Sequence, residues 1–172
     1  MAPTDLSRLQ LPRACREALA KQRSERIDSH TIPVATAWWN TELAADRLPG
    51  APMASSDVTQ LSRGDLFADA AKLDADSDEE LLRFLWRVLA WGSGMKLRLN
   101  RKRMRAVADS PSSAVATLRK ALKAAREDPA RAYEALRPRD RNALAYLGPA
   151  FSTKVLYFAG RGALEMASLV VV

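Results

Sequence analysis

The segment Asn142 to Gly160 holds the densest chemical signal in the chain. Within it, Gly148-Pro149-Ala150-Phe151-Ser152-Thr153-Lys154 places a tight turn at the mouth of an apolar helix. Backbone N–H groups at a helix start bind a phosphate without needing side-chain charge. The turn therefore makes residues 150–153 a candidate phosphate cradle, with Gly148, Ala150, Ser152 and Thr153 as its contact positions and Lys154 beside them. A second signal is charge. Lys96, Arg98, Arg101, Lys102, Arg103 and Arg105 form a stretch with no acid, and Arg119, Lys120, Lys123 and Arg126 follow. Residues 1–82 balance to −5 and residues 83–172 to +12, within a total of +7. A field of that kind attracts a polyanion, and Arg101, Lys102 and Arg103 are the candidates to touch its backbone.

Helices must hold these groups in place. Ser77 caps a helix, with Glu80 three residues on as the other half of a capping box. The run Leu81 to Trp91 is apolar on almost every face except around Arg83 and Arg87, which predicts a central, largely buried helix. Gly92-Ser93-Gly94 stops it. Ser110-Pro111 opens an Ala-rich helix toward Arg126, and Asp128-Pro129 opens a shorter one through Leu136. After Pro138, Asp140 caps a further helix holding Leu144, Tyr146 and Leu147, so that two helices flank the Gly148-Pro149 turn as a helix-hairpin-helix. Upstream, a helix-like segment from Arg13 to Arg26 and the loop Leu48-Pro49-Gly50-Ala51-Pro52 predict short helices joined by irregular chain. No alternating strand pattern is evident, apart from an extended tail at Leu169 to Val172. The expected fold class is all-α, with an N-terminal helical and irregular region over 1–76 and a helix-hairpin-helix region over 77–172.

Composition removes several classes of function. With 172 residues, 48% hydrophobic and 27% charged, the chain can bury a core and is no large multidomain machine. A single cysteine, Cys15, allows no internal disulfide, and a single histidine, His30, cannot seed a His/Cys metal site. Neither metal nor cofactor is expected. The start Met1-Ala2-Pro3-Thr4-Asp5 lacks a signal-peptide pattern, and no apolar run approaches about 18 residues. A membrane-surface role would need more than Met95, Leu97, Leu99 and Met104 opposite the charge. These features predict a cytoplasmic protein, nucleoid-associated if it binds DNA.

Gly148-Pro149-Ala150-Phe151-Ser152-Thr153-Lys154-Val155, backed by Leu156-Tyr157-Phe158, resembles the hairpin of the helix-hairpin-helix DNA glycosylase superfamily, in its 8-oxoguanine glycosylase (OGG-fold) branch. The resemblance is centred on residues 144–158 and extends over 78–172. It implies base excision repair of oxidised purines in double-stranded DNA, with Lys154 as a Schiff-base nucleophile. A partly desolvated lysine amine can attack the sugar carbon that carries a damaged base. The base must first leave the stack, so the family also needs a pocket wall. Trp91, Phe151, Tyr157 and Phe158 are the candidates, with Trp86 a further one. Two departures matter. The family's paired hairpin glycines fall on Ala150 and Ser152 here, and its essential aspartate, which stabilises charge on the sugar, falls at or just past Val172. The expectation is a chain truncated before that aspartate, with Glu165 the nearest carboxylate in sequence after Lys154. Two other classes stay open: a non-catalytic helix-hairpin-helix DNA-binding protein, and a helical protein whose basic half binds an acidic partner.

Overall fold

In the computed structural model, residues 27–49 and 57–160 are described. Their elements run β1 (Thr31–Val34), α1 (Thr36–Ala45), β2 (Thr59–Ser62), α2 (Arg63–Lys72), α3 (Asp78–Ser93), α4 (Asn100–Asp109), α5 (Pro111–Ala124), α6 (Pro129–Leu136), a 3-10 turn (Pro138–Asp140) and α7 (Pro149–Ala159). The protein is all-α, as the sequence predicts. The helix expected over Arg13 to Arg26, the tail at Leu169 to Val172 and Glu165 lie outside the described residues.

Local chemistry explains most boundaries. The Ser77 hydroxyl accepts from Glu80 N–H at the head of α3. The expected capping box is not closed, because the Glu80 carboxylate instead accepts from Asp74 N–H at 2.8 Å. It serves the incoming loop rather than its own helix. A complete capping box occurs where none was expected: Ser62 and Asp65 exchange bonds at the start of α2. α3 runs through Gly92 and Ser93 and stops at Gly94, whose φ of 55° is left-handed. Pro111 and Pro129 occupy the first turns of α5 and α6. Asp128 also caps α6 by accepting from Arg131 N–H, whereas Ser110 makes no side-chain cap.

Two corrections concern elements. β1 and β2 pair antiparallel, with Thr31 opposite Ser62 and Val34 opposite Thr59, although no strand was expected there. Each strand has four residues, and the first contains Pro33, so neither offers enough alternation to read. A two-stranded sheet has only edges, where proline's missing N–H is tolerated. The second correction is larger. Residues 141–148 form no helix where one was expected to hold Leu144, Tyr146 and Leu147, and α7 is preceded by a connection from Arg137 to Gly148 that is irregular beyond the 3-10 turn. The buried Arg137 guanidinium gathers this segment by donating to Asn142 Oδ1 and Asp140 O. Arg139, Asp140 and Tyr146 all take positive φ, which no right-handed helix accommodates.

α3 is the axis of the core. Leu81, Leu82, Phe84, Leu85, Trp86, Val88, Leu89, Ala90 and Trp91 are all buried along it. Around it pack Trp39 and Leu43 from α1, Leu66 and Ala70 from α2, Leu118 and Leu122 from α5, and Val155, Leu156 and Phe158 from α7. One buried cluster thus draws on residues from both sides of position 77.

Candidate functional site

α7 begins where the sequence predicts, at Pro149 after Gly148. Its first turn is largely self-satisfied: Phe151 N–H and Ser152 N–H both donate to Gly148 O at 3.0 Å. The Ser152 hydroxyl donates inward to Leu147 O and the Thr153 hydroxyl to Pro149 O, and both side chains are buried. Of the expected cradle positions, Gly148 and Ala150 are partly open while Ser152 and Thr153 face the protein.

Lys154 stands on the second turn of α7, half-buried. Its Nζ donates to Ala150 O at 3.1 Å and lies 5.6 Å from the Phe151 ring centre. Burial lowers the pKa of this amine below the ordinary lysine value, and the positive Arg63 on α2 lowers it further. Among the described residues no carboxylate lies within ion-pair distance of Nζ. Arg63 is the participant that sequence reasoning missed. Its guanidinium lies over Trp91 at 5.3 Å, and its buried Nε has no hydrogen-bond partner. A position 91 residues before Lys154 carries no local signal of that proximity.

The four candidate wall residues separate into two groups. Phe158 is fully buried and Tyr157 partly so, and the pair packs edge-on with Phe67. They are core residues, as is Trp86, whose Nε1 donates to Pro49 O. Phe151 lies beside Lys154, its ring centre 5.6 Å from Nζ. Trp91 meets the His30 and Phe158 rings edge-on, and its Nε1 is buried without a partner.

The basic run also divides. Arg101 grips Glu42 with two bonds, at 2.6 and 2.7 Å, and holds that carboxyl below its usual range. Arg103 turns inward, donating to Tyr146 O and Asn100 Oδ1, with its guanidinium 4.1 Å from the Phe151 ring centre. It therefore braces the connection before α7 from inside. Lys102 remains exposed, its amine 5.6 Å from the ring centre of the exposed Tyr146. Farther on, Arg119 binds Asp78 at the head of α3 and Lys123 binds Asp76 in the loop before it, and Arg126 donates to Ala70 O and Ala159 O.

The molecule is thus an all-α domain whose partly desolvated lysine lies near the start of a helix and close to a basic helix. The comparisons agree with that class. The family model described as "Putative 8-oxoguanine DNA glycosylase OGG-like protein" matches residues 25–171, and the chain belongs to this family. No curated protein and no solved structure matches it. The family match begins well before residue 78, where the resemblance legible in the motifs begins. Among the described residues no helix is long and apolar enough to cross a membrane, and no cluster of potential metal ligands occurs.

Proposed function

We propose that the chain is a DNA glycosylase that removes an oxidised purine from duplex DNA, with Lys154 Nζ as its nucleophile. The observation that carries this reading is the environment of the amine, which is half-buried, next to a second cation and lowered in pKa. An amine must be unprotonated to attack, and desolvation beside a like charge favours that form. Nζ would attack C1′ of the damaged nucleotide while the glycosidic bond breaks. The departing base takes the bond electrons and is then protonated. Loss of a proton from nitrogen and opening of the sugar ring leave a Schiff base between Lys154 and the sugar. In this reading the opening of α7, at Gly148 and Ala150, and the exposed Lys102 on α4 meet phosphates, and the damaged base leaves the stack so that its sugar can reach Nζ.

Borohydride reduction freezes such an imine. Incubation with a duplex carrying 8-oxoguanine, followed by reduction, should yield a covalent protein–DNA species that disappears in Lys154→Gln. Equal trapping by Lys154→Gln would overturn the nucleophile. Duplex binding with no trapping by the native sequence would support the non-catalytic DNA-binding reading instead.

A further inference from the structure

Gly92 sits in the last turn of α3, where alanine would be the better helix former. Its backbone does not require glycine, since Gly94 is the described glycine with left-handed φ. The reason for glycine is space. A Cβ at position 92 would lie 2.7 Å from Phe151 Cε1, 3.3 Å from Phe151 Cδ1 and 3.2 Å from Lys154 Cδ. The bare Cα is therefore the floor on which both the aromatic ring and the lysine stem rest. Near the same ring, Arg103 places its guanidinium 4.1 Å from the centroid, itself fixed by Asn100 and by Tyr146 O.

We infer that Gly92 is a positioning residue for Lys154, acting through Phe151: α3 and Arg103 hold the ring, and ring and helix together hold the lysine stem. The inference rests on the reading of Lys154 as nucleophile. A lysine side chain is long and flexible, and an amine left free would sample many positions before meeting the sugar. Here its stem is seated before substrate arrives, which is how a fixed geometry replaces a search. Phe151 thereby serves as a spacer rather than as the wall of a base pocket. The charged groups around this seat are Arg63 from α2 and Arg103 near the ring.

The seat is tested with Gly92→Ala and Phe151→Ala in the full chain. The first adds an atom to the floor and the second removes the ring without adding anything to α3. Each should lower the rate of borohydride trapping at least tenfold and move its pH midpoint upward as the amine swings into water, with duplex affinity retained. A role confined to packing would lower the melting temperature and leave the midpoint in place. Wild-type rate and midpoint in both variants would overturn the inference. If the native sequence traps no DNA, the nucleophile reading fails on its own. The seat is then read on the amine itself, by reductive methylation with 13C-formaldehyde and titration of the resonance that Lys154→Gln lacks. An unmoved midpoint in both variants overturns the seat whatever the DNA result.

Discussion

At the scale of single residues, the sign of the Lys154 shift makes a pH prediction. Burial first and Arg63 second lower its pKa, so the amine becomes nucleophilic at a lower pH than an ordinary lysine. Trapping should rise with pH to a midpoint below about 10.4, the free lysine value. Arg63→Gln removes the nearby positive charge and should move that midpoint up without abolishing trapping; an unmoved midpoint would assign the whole shift to burial. The same shift is linked to stability. Between the folded and unfolded pKa values the unfolded chain binds more protons, so this group's contribution to stability rises with pH across that window. Lys154→Met should therefore flatten the dependence of chemical-denaturation midpoint on pH above neutrality.

Elements set the next scale, and the connection from Arg137 to Gly148 is the informative one. Its first half is gathered by the buried Arg137 guanidinium, which donates to Asn142 and Asp140 O. Arg137→Met should cost roughly 1.5–3 kcal/mol, the range for hydrogen bonds made by a charged group. Denaturant unfolding measures this, and a loss under 0.5 kcal/mol would show that the loop holds itself. The same connection explains what the sequence concealed. Leu144 and Leu147 are buried, so apolar residues are spaced as a helix would space them. What decides against a helix is positive φ at Arg139, Asp140 and Tyr146, and the bond from Arg103 to Tyr146 O across 43 residues. Neither leaves a local pattern. By contrast, the starts of α3, α5 and α6 were legible because Ser77, Pro111, Asp128 and Pro129 act on their own helices. The site divides in the same way. The place of Lys154 early in a helix was legible from Gly148-Pro149, while the nearness of Arg63, the contact at Gly92 and the inward turn of Arg103 depend on which helices meet.

For the whole molecule, the basic half must be weighed by how many of its charges are already in use. Arg101, Arg119 and Lys123 pair with carboxylates, and Arg103 and Arg126 bond backbone carbonyls inside the fold. Lys96, Arg98, Lys102 and Arg105 remain exposed on and before α4. If Lys102 and Arg105 each meet a phosphate, replacing both with alanine should reduce the slope of log affinity against log salt by about 1.8. Arg103→Met should lower the melting temperature and leave the salt slope unchanged, because it removes an internal brace. Titrations of duplex binding at several salt concentrations distinguish these, and an unchanged slope in the double variant would exclude α4 from the DNA face.

Arg126 binds carbonyls near the carboxyl ends of both α2 and α7, at Ala70 and Ala159. The same corner is crowded, since a Cβ on Gly160 would stand 2.9 Å from Ala125 O. One cation thus rivets two helices at their far ends, and their near ends carry Arg63 and the turn before Lys154. With 11 residues, α7 is a lever about 16 Å long. A small rotation at the rivet becomes its largest displacement at Pro149, where the proposed DNA contact begins. The mouth, however, is held as well, by Arg103 and Gly92 against Phe151 and by the inward Ser152 and Thr153, so the lever is pinned at both ends and should meet a substrate without swinging. Hydrogen exchange should find the amides at 151–152 and at 157–160 slow before DNA is added, and fast exchange at 151–152 would show a mouth that moves.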